Sequence, residues 1–456
     1  MRRGLHLLGA LALAACASAP EPPLRPVDLS LQTRAISSAE LFGPPRPFPP
    51  ARSNAQIAED ILELGFRLES GRGIPQFSRF EGPVRVRLTG QIPPLAFVEL
   101  DRMIDRMRRE AGIDISRTNG SAEVIVEFIP RAAMRRTVAG AACFVLPNVE
   151  SFNEFVAAPL SPRLDWAQVV TRERALVVAP ADATVQEMRD CLHEEVAQAL
   201  GPLNDLYRIG ETVMNDDNFQ TALTGFDMLV LRVWYDPALR PGMSRDEVAR
   251  LLPRILRRLN PGGAGQQQPL DPLPTPRAWT DAVEDALGQP GRRRSFDAAR
   301  RALRIATDAG WQDERLAFSL FLAGRFAPAS RGEDALTALV QAAAIYDNIP
   351  GGQVPRAHME MHLAAQALAA GQDQLVIRLT DNAMEPARRS ENGALLSTLM
   401  LLRAEAMARM GRPSTAARLR RESEAFAIFG FGSQRALEAR QAEIGALTSR
   451  RDTGGG

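Results

Sequence analysis

The sequence predicts an α+β domain followed by an all-α array of helical hairpins, and three observations predict it. Up to about residue 258, short apolar runs of strand length alternate with amphipathic stretches of helical period. A segment of linker composition, NPGGAGQQQPLDPLPTP, covers 260–276. Beyond it Ala, Leu, Arg and Glu dominate and strand signals are absent. With 456 residues, 45% hydrophobic and 24% charged, the chain is long enough to bury two such cores.

In chain order, Arg2 and Arg3 followed by LHLLGALALA read as a signal peptide over 1–15, its apolar run too short to span a bilayer by itself. Leu13-Ala14-Ala15-Cys16 is a lipobox, so the mature chain is expected to start at a lipidated Cys16 and face the periplasm. Ala17 offers no acidic retention signal, which points to the outer membrane in a cell that sorts as enteric bacteria do. Residues 16–53, with PEPPLRP and GPPRPFPP, read as an extended proline-rich tether. The folded domain is expected over 54–258. It contains a helix over about 55–68, strand VRVRL (84–88), a helix over about 94–111 and strand AEVIVEF (122–128). A strand-like CFVLP from Cys143, strand RALVVAP (174–180), a helix over about 184–200 and a helix-like run at 223–243 follow. A linker at 259–277, the helical array at 278–448 and a disordered tail at 449–456 complete the chain.

In the array, Gly-Arg or Gly-Gln pairs at 291–292, 324–325, 371–372 and 411–412 are expected at turns, 33, 47 and 40 residues apart. GRRRSFDAARRALRIA and GRPSTAARLRRESEAFA resemble the second helix of tetratricopeptide-like repeats. The uneven period leaves an irregular array of hairpins as the alternative.

Chemistry concentrates in CLHEEVAQALGPLNDLYRIGETVMNDD, residues 191–217. Its spacing resembles that of metzincins, in which His-Glu-x-x-His sets two ligands at i and i+4 on one helix face and a glycine seven positions after the first ends the helix so that a third ligand, three residues later, can swing back; every spacing fits here, and no ligand does. With Gly201 as that glycine, Glu194 and Gln198 take the two face positions and Glu195 that of a general base. Asn204 or Asp205 takes the third ligand position, and Met214 falls in a methionine turn. Reading from His193 instead puts the methyl group of Ala197 where a second ligand must stand, so that frame fails. The same residues also read as a capped amphipathic helix, with a Thr184–Glu187 capping box, a Gly201-Pro202 stop, and Glu194 and Glu195 solvated.

Strands, motif helix, methionine turn and closing helix come in an order that resembles the catalytic half of metzincins, so the fold expected for 54–258 is a metzincin-like α+β domain. CLHEEVAQALGPLND, ETVMNDD and LRVWYDPALRPGM are more closely similar to an uncharacterised family of exported bacterial proteins. Its hallmark is a paired-Glu, Gln, Leu-Gly, Asn-Asp helix followed by Tyr-Asp-Pro, here from Tyr235 and Asp236, and Pro-Gly-Met. The resemblance covers about residues 55–255 and implies that Glu194, Glu195 and Gln198 are the usual residues at their positions. It brings no reaction with it.

A net charge of +1 gives no electrostatic case for nucleic acid. All 55 basic residues are Arg, which removes Schiff-base catalysis and the phosphate-loop lysine. Cys143 and Cys191 form an even pair for an oxidising compartment; a disulfide would add about 3 to 4 kcal/mol by loop entropy, and two buried thiols are the alternative. His358-x-Glu360-x-His362 sets two imidazoles a turn apart without a third ligand and is read as a solvated face. The Arg292–Arg294 run reads as a helix start.

Three functions fit. The first is a non-catalytic envelope lipoprotein whose metzincin-like domain binds a protein or peptidoglycan-associated partner and whose helical array supplies a second interaction surface. The second is a metallohydrolase with oxygen ligands and Glu195 as base, and the third a scaffold in which the first domain is only a spacer. No cofactor is expected, with a divalent metal as the alternative: Glu194, Gln198 and Asn204 or Asp205 are poor zinc donors.

Overall fold

The computed structural model describes residues 35–138, 140–215, 219–265, 275–288 and 291–449. The expected signal peptide, Cys16, Asp216 and Asp217 of the motif, linker residues 266–274 and the tail beyond Ser449 lie outside the described residues.

The packed structure starts earlier than the sequence suggests. Helix α1 (Ser38–Phe42) precedes α2 (Asn54–Phe66). Residues 35–53, expected as a free tether, are held along much of their length. Ser38 donates its N–H and hydroxyl to Glu99 at 2.7 and 2.5 Å, and Phe42 packs on Phe426 and Phe429 with ring centroids 5.5 and 5.7 Å away. Proline richness marks a stiff run without regular structure, and such a run can lie in a groove as readily as it can span a gap.

The sheet domain continues with β1 (Val84–Gly90), α3 (Ala96–Arg106, extended by a π turn to Ala111), β2 (Ile115–Arg117), β3 (Val124–Ile129) and α4 (Arg131–Thr137). Then come β4 (Phe144–Pro147), α5 (Phe152–Ala157), β5 (Ala175–Pro180), α6 (Val185–Leu200), α7 (Gly225–Trp234) and α8 (Arg245–Leu259). The five strands are ordered β2-β1-β3-β5-β4 and are parallel except for edge strand β4, which runs antiparallel to β5. Helices α3 and α6 cover one face. On the other, α4 and α5 bury Met134, Phe152 and Phe155 against Ile125, Leu176 and Val178. Burial on both faces is why β3 and β5 read as the near-continuous apolar runs VIVEFI and ALVVAP. Capping boxes start α2, α6, α7 and α8. Helix α7 ends at Tyr235, where the sequence places the end of the helix-like run, and Gly242, at φ 84°, turns the chain toward α8.

The C-terminal part is helical throughout its described residues. It comprises α9 (Arg277–Gly288), α10 (Arg292–Asp308), α11 (Glu314–Phe326), α12 (Gly332–Asp347), α13 (Gln353–Ala369), α14 (Asp373–Arg389), α15 (Gly393–Arg409), α16 (Pro413–Phe431) and α17 (Gln434–Ser449). The hairpins α9–α10, α11–α12, α13–α14 and α15–α16 begin at residues 277, 314, 353 and 393, every 37 to 40 residues. That is more even than the glycine spacing, because Gly324 is not at a turn. It lies inside α11, where a Cβ would press on Leu339 and the Ala335 carbonyl of α12. The turns between hairpins use Gly310 and Gly351, at φ 69° and 84°, and finally Glu391 at φ 54°.

Candidate functional site

Helix α6 is enclosed around almost its whole circumference. Met188, Leu192, Val196 and Ala199 enter the sheet core, and His193, Glu194, Glu195 and Gln198 are buried too. The alternative with Glu194 and Glu195 solvated therefore fails, because β4 and α16 pack on faces that would otherwise meet water. Cys143, at the start of β4, and Cys191 form a disulfide with Cα atoms 5.8 Å apart. The two-thiol alternative is excluded.

The motif residues are used largely within the fold. Gln198 Nε2 donates to Asp205 Oδ1 at 3.0 Å, whereas Asn204 Nδ2 turns to the Glu63 carbonyl of α2 at 3.3 Å. His193 faces another way: its Nδ1 accepts the Leu223 N–H at 2.8 Å. Burial, with Arg189, Arg106 and Arg102 nearby, holds this imidazole well below its usual pKa and therefore neutral. Met214 is fixed through its backbone, accepting the Leu206 N–H at 3.0 Å and donating to Thr212 Oγ1 at 3.1 Å. Thr212 and the Thr224 N–H in turn donate to Asp227 at 2.6 and 2.8 Å, clamping the turn to the start of α7. Among the described residues, the group of His, Cys, Asp or Glu placed to share an ion is Cys143, Glu194 and Glu195, with ligand atoms within 4.8 Å of one another. The disulfide removes the thiolate, leaving two carboxylates.

The end of α6 is held by a residue the sequence did not single out. Arg172 donates to the carbonyls of Gln198, Ala199 and Gly201 at 2.6, 2.7 and 2.6 Å and to Ser78 Oγ at 3.1 Å, and its guanidinium lies 4.5 Å from the Trp166 ring centroid. Tyr235 donates its hydroxyl to the Leu200 carbonyl at 3.1 Å. A helix leaves its last carbonyls without partners, and here the last three of α6 and that of the cap residue Gly201 are met. The one hint in the sequence is that α6 carries no basic residue in its own last turn. Burial lowers Arg172 to about 9 and pushes the Tyr235 phenol up. Gly201 is required by space, since a Cβ there would overlap the Trp234 indole, which also abuts Gly65. Asp236 accepts the Ala238 N–H at 3.0 Å and pairs with Arg258.

Residues 54–254 match the family model described as "Protein of unknown function (DUF2927)". No curated protein and no solved structure matches the chain. The matched segment corresponds to the sheet domain through most of α8.

Outside that match, the array grips the loops that follow α6. Phe219 sits among Phe318, Phe321, Tyr346 and His358, with ring centroids 5.5, 5.3, 6.3 and 4.9 Å away. His358 and His362, expected on a solvated face, are therefore buried, and Glu360 on another face of α13 is buried too. Burial, with Arg325 nearby, lowers both imidazoles to about 3, and His362 packs 5.8 Å from Phe321. Glu360 instead meets Arg356 and Asn382 at 3.0 and 3.1 Å. A second seam joins Arg52 to Asp60 and Glu314 at 2.7 and 3.1 Å, and Arg208 to Asp60 and Glu63 at 2.7 and 2.6 Å. A third joins Arg189 and Arg102 to Glu391 at 2.7 and 2.8 Å. None of these arginines stands out in the sequence, since each has a partner more than a hundred residues away.

Proposed function

We propose that the protein is a lipid-anchored envelope lipoprotein in which residues 54–258 form a metzincin-like scaffold without catalytic function and residues 278–448 form a tetratricopeptide-like array that binds a protein or peptidoglycan-associated partner. The observation that carries this reading is the use of the motif's polar groups: Gln198 bonds Asp205, Asn204 bonds Glu63, and Tyr235 bonds the end of α6. Two adjacent carboxylates are a poor zinc site, which takes four N, S or O ligands, and a poor site for hard cations that take six or more oxygens. The order of sheet, α6, Met214 turn and α7 supports the metzincin-like reading, and hairpins recurring every 37 to 40 residues support the array. The anchor rests on Leu13–Cys16 alone. The spacer reading fits less well, because the first domain supplies Tyr207 and Phe219 to the array's own core.

The hydrolase reading draws on the proximity of Glu194 and Glu195. Elemental analysis of the full chain, with peptide cleavage assayed for wild type and Glu195→Gln, tests the choice. The expected result is no stoichiometric zinc and no cleavage. About one zinc per chain, with cleavage abolished in Glu195→Gln, overturns it. For the anchor, Cys16→Ser should lose fatty-acid labelling and leave the membrane fraction, and unchanged partition refutes it.

A further inference from the structure

Glu211, in the loop between α6 and α7, is buried with half of its hydrogen-bonding capacity unspent. It is more than nine-tenths buried, and its Oε1 has no hydrogen-bond partner among the described residues, while Oε2 accepts the Ala51 N–H at 3.3 Å. An acceptor buried without a partner is costly, and one retained in a folded protein points to a group that meets it.

Glu211 lines a partly open cavity of about 30 Å³ where the sheet domain, the 43–50 segment and the array meet. Pro45, Pro47 and Phe48 from the segment, Ala222 and Leu223 from the loop before α7, and Val354 of α13 give it apolar walls. The other charged groups in the wall are engaged. Arg106 holds Glu110 at 2.8 and 2.9 Å and the Leu223 carbonyl at 2.6 Å. Arg389 reaches the Arg46 and Pro47 carbonyls and lies over the Phe48 ring, and Glu391 is met by Arg189 and Arg102. Behind Glu211, Arg52 is shared between Asp60 and Glu314, and Arg208 between Asp60 and Glu63. Two guanidiniums, of Arg52 and Arg208, thus face the carboxylates of Asp60, Glu63, Glu211 and Glu314, and the corner is short of positive charge.

A cation is the ligand such a corner lacks, and size sets its kind. A space of this volume takes a group about the size of a water molecule, which suits a compact ammonium and excludes the larger planar guanidinium. The chain contains no lysine to fill it. We propose that the cavity is a binding site for a primary ammonium on an unbranched alkyl stem, the ammonium donating to Glu211 Oε1 and the stem lying along Phe48, Leu223 and Val354. A short alkylamine and the lysine side chain of a peptide share that chemistry. Burial, with Glu314 and Asp60 reinforcing it and Arg52 opposing it, raises the carboxyl of the empty site to about 8. An incoming ammonium needs that carboxyl ionised, so binding releases a proton and tightens as pH rises toward 8. The amine, with a pKa of about 10.4, stays charged throughout.

The probes are n-butylammonium and Nα-acetyl-lysine methylamide, titrated into the full chain at about pH 6 and about pH 8 and followed by saturation-transfer NMR. At least one should bind, about tenfold or more tightly at the higher pH, and n-butanol, which keeps the stem without the charge, should not bind. Glu211→Gln keeps the shape of the site and should weaken binding at least about tenfold at the higher pH and abolish its pH dependence. Tighter binding of the lysine derivative makes a peptide lysine the source, and tighter binding of butylammonium a free amine. Should Glu211→Gln unfold, the pH series and the butanol control on wild type decide the matter. Binding that ignores pH or is matched by n-butanol or by the folded variant overturns the proposal. So does failure of both amines to bind, which leaves the cavity to a water molecule. These titrations read the cavity alone, whereas the zinc and cleavage assays read the motif helix, so either reading can fail without the other.

Discussion

Arg172→Met removes the guanidinium's donors from the end of α6 while keeping most of the side-chain volume. Three carbonyls, of Gln198, Ala199 and Gly201, lose bonds of 2.6 to 2.7 Å in a buried setting. Leaving a buried polar group unmet costs about 1 to 3 kcal/mol, so the gross loss over three carbonyls is about 3 to 9 kcal/mol. Part is returned, because the guanidinium is itself held at a cost, as its lowering to about 9 by burial shows. The net expectation is about 3 kcal/mol of lost stability. Tyr235→Phe removes a single bond of 3.1 Å and should cost about 1 kcal/mol. Arg172→Lys keeps the charge but not the fork and should recover less than half the loss. Urea denaturation of the full chain, followed by tryptophan fluorescence, measures all three, and Trp166 beneath the guanidinium reports locally. If Arg172→Met costs no more than Tyr235→Phe, the helix end is not held as described.

Three further expectations concern the seams around the site. Burial, opposed by Arg52 and reinforced by Glu314, raises the Glu211 carboxyl from 4.5 to about 8. The folded state then keeps a proton that the unfolded state has released, so stability falls as pH rises across that window, by about 3 kcal/mol between pH 5 and 8. Glu211→Gln should flatten the profile and exceed wild type at pH 8; an unchanged profile refutes the assignment. Reducing Cys143–Cys191, whose partners lie 48 residues apart, should cost about 4 kcal/mol by loop entropy. Denaturation midpoints that do not move on reduction contradict this. Arg389 lies 3.6 Å from the Phe48 ring centroid and donates to the Arg46 and Pro47 carbonyls at 2.9 and 3.1 Å. Arg389→Ala should therefore speed proteolysis of the 43–50 segment about tenfold, and equal cleavage rates mean that the segment is held by other contacts.

Local pattern made the secondary structure legible. The two-face burial of β3 and β5, the Thr184–Glu187 box of α6 and the loss of strand signals after residue 276 each leave a mark within a few residues. Sequence separation hid the rest. Arg172 caps a helix that ends 28 residues later, and Phe219 finds its aromatic neighbours about a hundred residues away, so no window of helical or strand period contains either pair. Burial misled in one direction. The polar letters of His358 and His362 suggest solvent, yet Phe219 and Phe321 cover them from other parts of the chain. Likewise, residues 35–53 have the composition of a linker and become a strap only because Glu99, Arg389 and the Phe426–Phe429 pair lie in their path.

Glu391 shows that the two parts are fitted to each other rather than merely joined. Its turn corresponds to those of Gly310 and Gly351, where glycine takes the left-handed backbone freely, yet here a side chain is retained at φ 54°. A non-glycine residue pays about 1 kcal/mol or more for that conformation. The carboxylate it thereby presents meets Arg189 at 2.7 Å and Arg102 at 2.8 Å, and Arg189 is almost fully buried on α6. A buried cation that loses its counter-ion costs about 3 to 5 kcal/mol, so the strained turn is the cheaper arrangement once the array lies against α6. The next residue extends the seam: Asn392 caps α15 and accepts from Gln186 Nε2 at 3.1 Å, while Gln186 Oε1 accepts the Ala394 N–H at 3.0 Å. Glu99, reached by the strap through Ser38, lies 3.8 Å from the same Arg189. One guanidinium on the motif helix thus gathers the strap, the sheet domain and the array.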